Sequence, residues 1–236
     1  MSTASSEPVF RGGSHVRPLT VVRSAQARRM RLAVDPRDGR VRLTLPRRAP
    51  LAPALAWAES KRAWIEAVLA RVPAAQPLGP GATIMFEGAP LRIDWQPEST
   101  RTVRRSGDRL VLGGPEDMVG ARVLRWLKAQ AIAALETETR AMAMRAGVTV
   151  GRVRVGDART RWGSCSSSGD IAYSWRLILA PAAVRHAIVA HEVAHRLHMH
   201  HGPDFHAAAA RLLGHDGKAE RAWLRANGAT LHATGG

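Results

Sequence analysis

The chain has 236 residues, 45% hydrophobic and 23% charged, a globular composition that excludes collagen, coiled coil and wholesale disorder and allows a sizeable core. Lys and Arg number 35 against 19 Asp and Glu, a formal net charge of +16, which fits either an anionic partner or a solvated basic surface. A single cysteine, Cys165, excludes an internal disulfide and a multi-thiolate metal site.

The first sixteen residues lack an apolar leader core, and no run approaches the ~20 apolar residues of a membrane span. A cytoplasmic protein without membrane attachment is expected. All but three of the basic residues (Lys61, Lys128, Lys218) are arginine, and eleven arginines lie before Trp57 against Glu7, Asp35 and Asp38. This Arg-rich N-terminal half is a candidate surface for a nucleotide or nucleic acid, although an arginine excess also follows from codon bias.

In chain order, residues 1–16 read as a disordered tail. Partial alternation over 19–35, turn chemistry at Pro36-Arg37-Asp38-Gly39 and clean alternation of Val41, Leu43 and Leu45 predict a hairpin. Helical spacing over 51–72 follows, with Trp57 and Trp64 read as core. A Pro- and Gly-rich connector at 73–81 leads to four short strands, 83–86, 91–95, 102–105 and 109–112. Gly113-Gly114-Pro115 then separates a β-rich N-terminal unit with one helix, 17–115, from the rest of the chain, 116–236.

A helical stripe covers 117–145, and Val148, Val150, Val153 and Val155 predict a strand. Residues 171–179 read as a further extended run, offering its backbone to an extended peptide. Pro181 opens a helix through about His198, and two short helices are expected at 205–213 and 219–226.

The chemistry concentrates in His191-Glu192-Val193-Ala194-His195. On a helix, the two histidines lie ~40° apart and ~6 Å along the axis, so both reach one ion. Glu192 lies one step round, where a carboxylate takes a proton from metal-bound water. A catalytic zinc needs a third protein ligand. His201 would be out of reach on a continued helix, but Gly202-Pro203 breaks the helix and lets the chain fold back. Asp216 and Glu220 compete as later acidic ligands, as do His198, His200, His206 and His215. His198, Asp216 and Glu220 are also candidates to orient a ligand imidazole. Cys165 reads as a small packed residue, because no base is free to activate it.

Four motifs, Arg161-Trp162-Gly163-Ser164-Cys165-Ser166, Trp175-Arg176-Leu177-Ile178 with Ala180-Pro181, His191-Glu192-Val193-Ala194-His195 and His201-Gly202-Pro203-Asp204-Phe205, resemble the YgjP-like metallopeptidase family. The last two also resemble the related SprT-like and WLM zinc proteases, in which the histidine of the H-G-P-x-F turn is the third ligand. Ser174 stands where the family usually has Asn, and His200-His201-Gly202 where it usually has Asn-His-Ser.

The resemblance implies an α+β fold, with a small β-rich N-terminal unit packed on a zincin-like catalytic domain. It also implies one Zn²⁺ on His191, His195 and His201, with Glu192 catalytic and peptide or protein as substrate. Tyr173, Arg176 and Arg161 are candidates for substrate or oxyanion binding. Two other activities stay open. One is a nucleoside triphosphate (UTP) pyrophosphatase using the same metal, although the chain has no glycine-rich phosphate loop. The other is a DNA-associated protease with a basic surface; a purely structural zinc is a further possibility.

Overall fold

A computed structural model describes residues 9–12, 15–35, 39–70, 73–158 and 160–235. Its contacts divide the chain into two compact units, 1–75 with residue 236, and 76–235.

In the first unit, β1 (Val9–Gly12), β2 (His15–Ser24), β3 (Arg31–Val34) and β4 (Val41–Pro46) form a sheet in the order β1-β2-β4-β3. β3 and β4 make the expected antiparallel hairpin, whose 36–38 turn lies outside the described residues, while β2 runs parallel to β4. Strand β1 falls within the segment read as a disordered tail. Val41, Leu43 and Leu45 are fully buried and Arg42 is exposed, as the pleat of a one-sided sheet requires. Two helices, α1 (Leu51–Ser60) and α2 (Arg62–Leu69), occupy the stretch read as one, because the backbone departs from helical geometry at Lys61. Ala54, Ala58 and Ile65 pack on the buried strand residues. Trp57 is half-buried and packs on this cluster as expected, whereas Trp64 is 47% exposed and is not the core residue expected.

The second unit begins with β5 (Thr83–Phe86), β6 (Ala89–Trp95), β7 (Arg104–Ser106) and β8 (Arg109–Leu112), in the order β5-β6-β8-β7. The Gly113-Gly114-Pro115 segment, read as a domain boundary, is instead a tight turn inside one core. Gly113 N–H donates to the Thr100 carbonyl, and Ile84, Leu91, Ile93, Leu110 and Leu112 share a buried cluster with residues of the following helix. That helix, α3 (Val119–Ala146), buries a stripe through Val123, Leu127, Ala131 and Leu135 and ends at Gly147 in the left-handed conformation.

A second sheet combines β9 (Val153–Gly156), β10 (Gly163–Cys165) and β11 (Ile171–Ser174), with β11 in the middle. The extended run expected over 171–179 stops at Ser174, whose side chain caps a 3₁₀ helix, Trp175–Leu179. All five residues of that helix are buried. Because β11 is paired on both sides, it has no edge to offer a peptide; β10 and β9 are the outer strands of this sheet.

The chain closes with α4 (Ala182–Ala194), α5 (Pro203–Leu213) and α6 (Lys218–Ala233). Arg185 anchors α4: its Nη2 lies 2.7 Å from Glu138 of α3 and 3.2 Å from Glu87 in the β5–β6 turn. The turn is also tied down by its backbone, since Glu87 and Gly88 N–H donate to the Ile178 and Leu179 carbonyls. The architecture is α+β, and among the described residues no helix is long and apolar enough to cross a membrane.

Candidate metal centre

Helix α4 carries His191 and Glu192 and ends at Ala194, so His195 is its C-terminal cap and not the interior residue expected. Tight bonds from Arg196 N–H to the Val193 carbonyl and from Leu197 N–H to the Ala194 carbonyl turn the chain there. The return is completed at Gly202, which precedes Pro203, the first residue of α5. This folds His201 back onto the face of α4. Its Nε2 lies 3.1 Å from Nε2 of His191, and the three imidazoles of His191, His195 and His201 bring ligand atoms within 4.8 Å of one another.

The set suits a borderline-soft divalent ion. Nitrogen ligands around a tetrahedral zinc lie about 3.3 Å apart, close to the His191–His201 separation. Burial and the neighbouring imidazoles push the His191 pKa down to about 4, and burial also lowers that of His195. Both are therefore neutral near pH 7, the form that binds metal. His195 Nδ1 lies 3.3 Å from the His198 carbonyl; donation there fixes the tautomer and leaves Nε2 free as a ligand. His198 thus contributes through its backbone, with its side chain exposed. Phe205 is 1% exposed, and its ring centroid lies 4.6–4.9 Å from those of all three histidines. It forms a rigid wall that restricts their rotation.

Glu192 is 4% exposed and lies against β10. A Cβ at Gly163 would fall 2.4 Å from its Oε1, so only glycine permits this approach. Burial raises the Glu192 pKa to about 7, while Arg161 favours the charged form. The next residue, Trp162, stacks on His232 of α6 at 4.7 Å. The Arg-Trp-Gly motif therefore holds β10 in place beside the carboxylate. Arg159, immediately upstream, lies outside the described residues.

A cleft of about 740 Å³ opens beside His191 and Glu192, between β10 and helices α4, α5 and α6. Of the candidates beyond the three histidines and Glu192, Arg161, His206, His215, Asp216 and Glu220 line it. Asp216 is engaged by Lys218, whose Nζ is 2.7 Å away and holds its carboxyl below the usual range. Glu220 sits 3.8 Å from His215 Nδ1. Neither acid belongs to the cluster of potential ligands formed by the three histidines.

Tyr173 and Arg176 serve packing and not the cleft. The Tyr173 hydroxyl lies 2.9 Å from Thr139 Oγ1 on α3, and burial drives its pKa upward. Arg176 is fully buried, ion-paired with Asp157, bonded to the Thr234 carbonyl and stacked on Trp175 at 4.5 Å. Cys165 is half-buried, and burial raises its thiol pKa, which opposes thiolate chemistry. Sequence reasoning missed the Arg185 anchor, the clearance at Gly163 and two further cleft arginines, Arg221 and Arg225. Only the glycine had a local signal, its place in the Arg-Trp-Gly motif.

The chain matches the family described as YgjP-like, metallopeptidase domain over residues 28–227. It belongs to that family and is a metallopeptidase-type hydrolase, a class that implies a metal ion, which His191, His195 and His201 could hold. Searches of curated proteins and of solved structures returned no match.

Proposed function

We propose that this protein is a zinc metallopeptidase in which His191, His195 and His201 hold one ion and Glu192 is the general base. The carrying observation is the convergence of three imidazoles beside a buried carboxylate at the edge of an open cleft. Zinc, when bound by three histidines, supplies Lewis acidity and lowers the pKa of a coordinated water to about 7.

Glu192 accepts a proton from the attacking water at a carboxylate oxygen as the water oxygen bonds to the scissile carbonyl carbon. It then returns the proton to the amide nitrogen as the C–N bond breaks. An extended peptide pairs along the free edge of β10, whose Gly163 adjoins Glu192, and this replaces β11 as the docking strand.

A second reading, hydrolysis of a nucleoside triphosphate at the same metal, draws support from Arg161 in the cleft. The deciding experiment is a parallel screen of zinc-loaded and chelator-stripped protein on unfolded protein, DNA-bound protein and UTP. Zinc-dependent peptide cleavage is expected. Pyrophosphate release from UTP without peptide cleavage would transfer the assignment to the second reading, and DNA-dependent cleavage would identify a DNA-associated protease.

A further inference from the structure

Three arginines line the cleft beside the metal site: Arg161 just before β10, and Arg221 and Arg225 on α6. Arg221 and Arg225 are four residues apart, so they project from one face of the helix as a like-charge pair, an arrangement that costs stability when nothing anionic lies between them. Among the described residues none of the three is in ion-pair contact with an acid; of the cleft's acids, Asp216 is engaged by Lys218, Glu220 lies near His215, and the charge of Glu192 is favoured by Arg161, which leaves Arg221 and Arg225 as the pair with no acid in ion-pair contact. The lining of the cleft also includes the apolar side chains of Phe205, Leu213 and Leu224. A guanidinium presents a planar fork of donors that suits a carboxylate in bidentate fashion.

Resting on the peptidase reading above, we propose that this cleft recognises a carboxylate of the peptide substrate through Arg161, Arg221 and Arg225. The carboxylate comes either from an Asp or Glu side chain near the scissile bond or from the peptide's free C-terminus. The chain is therefore selective for acidic or C-terminal segments and is not an indiscriminate endopeptidase.

The test is binding by the zinc-loaded Glu192→Gln chain to one fluorescent peptide in three forms. These carry glutamates with an amidated end, glutamines with a free carboxyl end, or glutamines with an amidated end. One of the first two is expected to bind about 10- to 100-fold more tightly than the third, the range of a charge-assisted hydrogen bond. That preference should fall below about threefold in a chain also carrying Arg221→Gln and Arg225→Gln, with zinc content unchanged. The glutamate form winning identifies a side-chain source, and the free-carboxyl form winning a terminal one. Equal binding of all three overturns the proposal, as does inorganic triphosphate binding more tightly than any peptide. The wild-type chain separates the two readings: carboxylate preference without cleavage removes the peptidase assignment and leaves the recognition site, whereas equal binding and cleavage of all three forms does the reverse.

Discussion

Gly163 and Glu192 meet across the β10–α4 contact with no space for a methyl group: a Cβ on Gly163 would lie 2.4 Å from Oε1 and 2.7 Å from Cδ of the glutamate. The clash involves a buried carboxylate on a helix anchored by Arg185, so it cannot be relieved by a small rotation into solvent. Gly163→Ala is expected to displace the carboxylate and lower kcat by about 10²-fold or more while zinc content stays at wild-type level, since a misplaced base loses most of its contribution. Steady-state kinetics with elemental analysis checks this; full activity would show that Glu192 does not need its present position.

Burial of Glu192 also makes the metal-free protein's stability depend on pH. Its folded pKa of about 7 lies above the ordinary glutamate value of 4.5, so the folded state holds the proton more tightly. The resulting stabilisation is complete below the unfolded value and is lost as pH rises toward the folded one. Relative to wild type, apo Glu192→Gln should therefore gain stability between pH 4.5 and 7, on the order of 3 kcal/mol by pH 8. Urea melts at pH 5 and pH 8 measure this, and a pH-independent difference would contradict the burial argument. Binding of a cation beside the carboxylate favours its charged form, so the window should move to lower pH when zinc is added.

Phe205 packs against all three histidines from a position 1% exposed. Phe205→Ala should cost about 3–5 kcal/mol of stability and weaken zinc binding about 10- to 100-fold by freeing the imidazoles to rotate. Chelator competition checks the second effect; unchanged affinity would mean that the turn at Gly202-Pro203 alone fixes His201.

The Tyr173 hydroxyl is occupied by Thr139, so it is not available to stabilise an oxyanion. Tyr173→Phe should leave kcat/KM within about twofold of wild type and lower stability by about 1 kcal/mol through the unpaired threonine. A drop in kcat at unchanged stability would reinstate the tyrosine as a catalytic group.

The three-histidine cluster was legible because its determinants are local. The His191–His195 spacing is a property of one helix, and Gly202-Pro203 carries its own turn chemistry, so His201 could be selected over Asp216 and Glu220. The strand pattern of 83–112 was also readable from alternation, but its allegiance was not. Gly113-Gly114-Pro115 looks the same in sequence whether it links two domains or turns inside one, and only the shared core with α3 decides. The apolar run at 171–179 was equally ambiguous between strand and buried helix, and the cap at Ser174 settled it as a 3₁₀ turn. Arg176 carried a charge that suggested a substrate; its burial against Asp157 and Trp175 depends on contacts with no local signature.

Hydrolysis of an unfolded protein by zinc-loaded Glu192→Gln, with metal content measured on the same sample, tests the central claim most directly. One zinc per chain with kcat reduced about 10²- to 10⁴-fold is the predicted result, the loss expected on removing a general base. Zinc retained with activity close to wild type would contradict the account.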